Sequence, residues 1–385
     1  MKKTITTTLA LGAIFLTNSA FALTNQIESA EKFINKNKGA SAFKNFLNNP
    51  DILIDNRDNA VQAPIEAEEE AIDTYSDIYK GKKHKAIKSL KTQLGWEVDD
   101  VYDQKLFEYV KKVQKEKGLN PTGIIDRTTW FSLYNQPLSW KIKTVDTALA
   151  NWNSIVTKNQ SNKSDKMILV NIPSMKLYLY QKKASGGYNL LLESPVVIGR
   201  IKTQTPLNDF EIISLKYNPN WTPTRNMLKK HLYKNGELNV KWLEDHDLSL
   251  IDETGELREY DELSMIEKPR FVQASGDKNA LGNLKLETSS KEDIYLHDTN
   301  ERHLFNFNTR TYSSGCIRVK EYVSLAALVS GKTNEYVQKN IDKKDMFFER
   351  IPQRVPVYFD YSQVSFSGTD SVQFYSDIYS KNKNK

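Results

Sequence analysis

The chain has 385 residues, 54 Lys+Arg against 48 Asp+Glu for a net charge of +6, five His and one Cys. A single Cys excludes a disulfide scaffold within the chain and a thiolate zinc cluster. The length allows two or three domains at about 100–200 residues each. The basic residues are interleaved with acidic ones, which makes nucleic acid a poor candidate partner.

In chain order, Lys2 and Lys3 precede the apolar run Leu9–Leu16, which is too short to span a bilayer, and Ala20-Phe21-Ala22 follows as a small-x-small cleavage site. This order predicts a secretory signal peptide over 1–22 rather than a buried N-terminal helix. The expectation is an exported chain of net charge +4 with no transmembrane anchor. Residues 23–81 read as an N-terminal segment and linker. Its acidic run, Glu66 to Glu70, reads as a solvated face.

Residues 82–137 read as a small helical module. Ala86, Leu90 and Leu94 recur at helical spacing before Gly95. Asp103 can cap a second helix carrying Leu106, Phe107, Val110 and Val113, ended by Gly118. Asn120-Pro121-Thr122-Gly123 is a turn signal, and Asp126 can cap a third helix with Trp130, Leu133 and Tyr134. The stretch from Tyr102 to Tyr134 resembles the peptidoglycan-binding domain found beside many cell-wall enzymes.

From about residue 166 the period changes to that of strands. Met167–Ile172, Lys176–Tyr180, Leu190–Gly199 and Phe210–Tyr217 are strand-like, with a turn at Pro173-Ser174 and a hairpin signal at Ser185-Gly186-Gly187. Residues 218–275 interrupt them, as an inserted cap would. Strands resume near Asp293–His297, a helix is expected over Glu321–Val329 ended by Gly331, and Val355–Tyr379 reads as a terminal hairpin. The pentapeptide Tyr-Ser-Asp-Ile-Tyr occurs at 75–79 and 375–379, without the fixed period of a repeat architecture.

The chemistry concentrates in Tyr295-Leu296-His297-Asp298-Thr299 and Ser313-Ser314-Gly315-Cys316-Ile317-Arg318-Val319. A lone Cys is commonly a small buried apolar residue. In an exported chain, though, an unpaired thiol needs a reason to persist. The small residues before Cys316 permit a sharp turn that leaves the thiol accessible. If Cys316 sits at the N-terminus of the following helix, the dipole there favours thiolate. The amides of Gly315 and Cys316 are then candidates for an oxyanion hole. Strand alternation puts Ile294 and Leu296 on one side and Tyr295 and His297 on the other. His297 can take the thiol proton, with the Asp298 backbone carbonyl orienting its second nitrogen. Arg318 suits a substrate carboxylate or a structural ion pair. Ser314 and Tyr295 complete the expected substrate contacts. His231 and His246 lack ligand-like spacing, so no metal is expected. His303 fits substrate contact or plain surface, His84 reads as surface, and Trp221 as cap packing.

The segment HDTNERHLFNFNTRTYSSGCIRV resembles the signature of the L,D-transpeptidases with a YkuD-type catalytic domain. The stretches LVNIPSMKLYLY, VVIGRIKTQTP, YNPNWTPTRNMLKKHL, KNALGNLKLE and PVYFDYSQVSFSGTDSVQFYSDIY resemble the larger, YcbB-like branch of Gram-negative bacteria. Many family members have His before the Gly-Cys pair, whereas this chain has Ser314, as that branch does. The resemblance covers residues 140–380, with 218–275 as capping insert. It implies an α+β fold: a mainly β, sandwich-like core plus the small three-helix peptidoglycan-binding domain. It further implies a periplasmic, cofactor-free enzyme acting on tetrapeptide stems of peptidoglycan, with other cell-wall enzymes as conceivable partners. Cys316 would form a thioester with loss of D-Ala, and a diaminopimelate amine would resolve it. His297 would be the base, and the amides of Gly315 and Cys316 the oxyanion hole. Hydrolysis by the same site, attachment of a lipoprotein Lys, and a non-catalytic wall-binding role are the alternatives.

Overall fold

A computed structural model describes residues 29–33, 77–134, 136–184, 187–292, 294–366 and 372–381. The export signal, the acidic run, Tyr75 and Ser76, and the Ser185-Gly186 pair lie outside the described residues.

Three helices pack around one small core. They are α1 (Lys85–Gln93), α2 (Gln104–Glu116) and α3 (Arg127–Ser132). Asp103 accepts from the Leu106 amide and Asp126 from the Thr129 amide, at 2.8 Å each, so both carboxylates act as helix N-caps. The α1 cap is His84, whose Nδ1 accepts from the Ala86 amide, so this ring is half-buried structure and not plain surface. The core gathers Ile87, Leu90, Tyr102, Leu106, Val110 and Trp130. Gly123 has φ +68°, and a Cβ there would fall 2.1 Å from the Phe107 ring, which fixes glycine at the turn.

A 23-residue helix follows, α4 (Leu138–Gln160). Ile142, Val145, Ala148, Trp152 and Ile155 form its buried seam. The sequence reading passed over it, because its N-cap Pro137 makes no side-chain cap and none of the usual start signals is present. α4 lies against the outer surface of the main sheet, where Trp152 Nε1 donates to buried Asp360 at 3.0 Å.

The main sheet has nine strands: β1 (Lys166–Asn171), β2 (Lys176–Lys182), β3 (Tyr188–Gly199), β4 (Phe210–Tyr217), β5 (Leu284–Thr288), β6 (Leu296–His297), β7 (Thr311–Ser313), β8 (Ile317–Val319) and β9 (Phe347–Asp360). Their order is β7-β3-β8-β6-β5-β4-β9-β1-β2, and β2 also pairs with β3. The sheet therefore folds over and closes on itself around one apolar interior, a closed form of the expected sandwich-like core. Helices α7 (Tyr322–Ser330) and α8 (Asn334–Asp342) complete that interior. Strands resume at Leu284, earlier than the sequence suggested. Residues 355–360 belong to the main sheet, and only Val364–Phe366 and Val372–Phe374 form the terminal hairpin.

Between β4 and β5 lies the insert. It carries α5 (Arg225–His231), α6 (Val240–Asp245) and a three-stranded sheet of Leu248–Ile251, Leu257–Arg258 and Arg270–Gln273. Its separate small core includes Leu243, Leu250, Phe271 and the partly buried Trp221. His231 stacks on Trp242, and His246 Nδ1 lies 2.8 Å from the Trp242 carbonyl, so these rings serve the insert's packing. Among the described residues no helix is long and apolar enough to cross a membrane.

Candidate active site

Cys316 ends the turn between β7 and β8. Gly315, at φ +123°, makes the reversal. The turn is braced from several sides. Ser313 Oγ donates to the Cys316 carbonyl at 2.6 Å and accepts from the Gly315 amide at 3.1 Å. Thr205 Oγ1 donates to the Gly315 carbonyl at 2.8 Å and accepts from the Gly199 amide. Thr203 Oγ1 donates to the Ser313 carbonyl. The Tyr379 hydroxyl donates to the Gly199 carbonyl at 2.8 Å and accepts from the Thr205 amide, so the second Tyr-Ser-Asp-Ile-Tyr copy supports this turn. The Ser313 bonds are local, but those from Thr203, Thr205 and Tyr379 depend on long-range pairing and were not legible in the sequence.

One sequence expectation changes here. Cys316 does not stand at a helix N-terminus. Ile317-Arg318-Val319 enter the sheet as β8 between β3 and β6, and α7 begins only at Tyr322. The β-branched residues and the waiting strand edges on both sides favour the strand. The helix dipole therefore gives no account of thiolate formation. The Gly315 N–H, one of the two expected oxyanion donors, donates to Ser313 Oγ at 3.1 Å.

β6 runs parallel to β8, with Leu296 opposite Ile317 and His297 opposite Arg318. Leu296 and Ile317 both enter the core, so His297 and Arg318 project to the other face. Cys316 directly precedes β8 and is half-buried. His297 is buried, and its Nδ1 lies 2.5 Å from the Asp298 carbonyl. A carbonyl can only accept, so the ring donates from Nδ1 to Asp298, and the Leu281 backbone carbonyl bonds the ring as well. Burial first, then the Arg318 cation, push the ring's pKa down to about 3 against the pull of the Asp298 carbonyl, with Lys285 adding to the drop. Burial and the two cations favour the neutral imidazole.

The Asp298 carboxylate sits behind that carbonyl. Its Oδ2 accepts from the Asn283 amide at 2.9 Å and from Arg302 Nη2 at 2.8 Å, while Arg302 also donates to the Tyr322 hydroxyl. Burial raises its pKa. A Cβ at Gly282 would fall 2.3 Å from Oδ2, so glycine there lets the chain returning from the insert pass close to the residue that holds His297.

The remaining expected contacts fall as follows. Arg318 Nη1 donates to Glu301 Oε2 at 2.5 Å. Tyr295 lies under the Lys285 ammonium, 3.3 Å from the ring centroid. Ser314 is exposed. His303 is exposed, with its ring edge-on to Phe307. Lys285 and Glu301 escaped the sequence reading. For Lys285 a signal existed, since Leu284 and Leu286 alternate with Lys285 and Glu287 at the period of a strand with one wet face.

Two family descriptions match the chain: "L,D-transpeptidase catalytic domain" over residues 165–341 and "Putative peptidoglycan binding domain" over residues 85–133. The chain thus joins a catalytic domain of the YkuD L,D-transpeptidase family to a domain of the peptidoglycan-binding family. Over 167 residues it is 33% identical to the "Putative L,D-transpeptidase" of Haemophilus influenzae, covering 42% of this chain and 33% of that protein. The chain thus spans about a third of the length of that curated relative. Among solved structures it is similar to an L,D-transpeptidase from Mycobacterium smegmatis at 11% identity, with 51% of this chain and 58% of that one covered and a TM-score of 0.25. It is also similar to a mutant of an Enterococcus faecium L,D-transpeptidase at 14% identity, covering 51% and 50%, with a TM-score of 0.24.

Proposed function

We propose that this protein is an exported, periplasmic transpeptidase that cross-links peptidoglycan stems through a Cys316 thioester. The observation that carries this reading is the His297 ring, tied through Nδ1 to the Asp298 carbonyl and set on the strand beside the one that Cys316 leads into. His297 Nε2 takes the Cys316 proton, and Sγ attacks the L,D-amide carbonyl of a donor tetrapeptide. The C–N bond breaks, and D-Ala leaves with the proton returned by His297. An acceptor diaminopimelate amine then gives its proton to His297 and attacks the thioester, restoring the thiol. The Cys316 amide, and the Gly315 amide once Ser313 turns away, are the oxyanion donors of this scheme. Residues 82–137 serve as the wall-binding module, 140–380 as the catalytic domain and 218–275 as its cap.

Intact-mass analysis after exposure to a carbapenem and to a tetrapeptide donor tests the reading. Wild type gains one covalent adduct, Cys316→Ala gains none, and His297→Gln acylates at least about 100-fold more slowly. Cross-linked product formed by Cys316→Ala overturns it. With donor alone in water, free tripeptide acid as the sole product, even after amine is added, identifies a hydrolase instead.

A further inference from the structure

The sheet face that carries the base also carries a line of positive groups. Lys216 on β4 pairs in register with Lys285 on β5, Lys285 with His297 on β6, and His297 with Arg318 on β8. Register partners share a face at about 5 Å spacing, so these four side chains form one row across four adjacent strands. His297 lies between two permanent cations. Both are withdrawn from water: the side chains of Lys285 and Arg318 are 13% and 14% exposed. Lys and Arg are rarely so covered without a paired anion. Each has one in the protein itself. Glu287 lies 3.1 Å from Lys285, and Glu301 lies 2.5 Å from Arg318. Glu301 is the more accessible of the two acids, at 48% exposed against 21% for Glu287, and stands on the loop after Thr299.

We propose that Arg318 and Lys285 are specificity-determining residues that bind two carboxylates of the donor peptide, one on each side of the base, and that Glu301 and Glu287 hold those places until substrate displaces them. This rests on the transpeptidase reading above and names what its donor site recognises. A tetrapeptide stem ending in D-Ala, with diaminopimelate at its third position, offers two such groups: its terminal carboxylate and the side-chain carboxylate of the third residue. Two desolvated cations select a diacid over a neutral analogue, because only a carboxylate can take the place of the Glu that each cation gives up. Exchange of a Glu for a substrate carboxylate keeps the charge count level around His297, so the base stays neutral as the donor enters.

The test compares thioester formation from four synthetic donors: the free diacid, the two mono-amides and the diamide. Wild type is expected to lose about 10- to 100-fold in kcat/KM at each amidation, the range of a charge-assisted hydrogen bond. Arg318→Gln should become insensitive to one amidation and Lys285→Gln to the other, each retaining a melting temperature near wild type. Glu301→Gln guards against misfolded cation variants. It should raise kcat/KM about three- to tenfold for donors that keep the Arg318-bound carboxylate and leave the diamide unchanged. Equal rates for all donors in wild type overturn the proposal while leaving the transpeptidase reading standing. So does sensitivity that persists in both cation variants, or a Glu301→Gln enzyme that gains nothing. Absence of thioester from every donor sinks the transpeptidase reading itself, and this proposal with it.

Discussion

The Asp298 backbone carbonyl holds the His297 ring, and the chain at Gly282 passes close beside the Asp298 carboxylate. With φ +61° and a Cβ position 2.3 Å from the Asp298 carboxylate, Gly282→Ala must displace Asp298. That substitution is expected to cost about 2–4 kcal/mol in urea unfolding and to lower thioester formation well beyond the loss of folded protein. The low pKa of His297 has its own signature. Between about pH 6.5 and 3 the unfolded chain binds a proton on this residue that the folded protein refuses. This group therefore makes the protein less stable as pH falls through that window. His297→Gln should flatten that part of the stability curve, measured by denaturant titration at pH 7, 6, 5 and 4, and leave the neutral-pH value nearly unaltered. A parallel pair of curves would mean the ring titrates normally in the fold.

The β7–turn–β8 unit depends on partners far away in sequence. Thr205 serves the Gly315 carbonyl and the Gly199 amide together. Thr205→Val keeps the shape and strands both backbone groups, so it should cost about 2–3 kcal/mol and slow alkylation of Cys316 by a neutral reagent. Unchanged alkylation would mean the turn holds without this brace. Such dependence explains what could be read in advance. Caps and alternation are local: Asp103 and Asp126 stand three residues before the amides they accept from, and Met167 to Ile172 reads as a strand by itself. Cys316 and His297 were legible as a motif because their residue types are rare in this chain. The dipole expectation failed because nothing local says that Ile317-Arg318-Val319 meets open strand edges on both sides. The pairing of Arg318 with Glu301, and the position of Lys285 beside the base, require the cross-strand register. Sheet closure through β2 and β3 belongs to the same long-range class.

At the scale of the whole molecule, the helical module grips the segment that leads into the Cys316 turn. Asn120 exchanges hydrogen bonds with Asn308, the Thr309 amide donates to the Asp126 carboxylate at 3.0 Å, and Thr309 Oγ1 joins the Thr128 amide and hydroxyl. Asp77 lies close enough to feel Asp126. Burial first, and then that second carboxylate, raise its pKa to about 6. The folded protein holds that proton where the unfolded chain, near pH 3.8, has released it, so this site's contribution falls as pH rises from about 4 to 6. Asp77→Asn should therefore stabilise the protein by about 1–2 kcal/mol at pH 7.5 and by little at pH 4, as read from melting temperatures. Stabilisation equal at both pH values would argue against a retained proton.

Arg127, next to Asp126, donates to the Asp377 carbonyl at 2.6 Å and to Ser380 Oγ. Helix α3 and the tail after the terminal hairpin therefore meet, and the bridge between Ile78 and Ile125 brings the start of the helical module beside them. The reading order of the chain is then separable from its architecture. A circular permutant that joins residue 381 to residue 77 by a short Gly/Ser tether, and opens at the exposed Asn235-Gly236 turn of the insert, should still fold, acylate at Cys316 and melt in one transition.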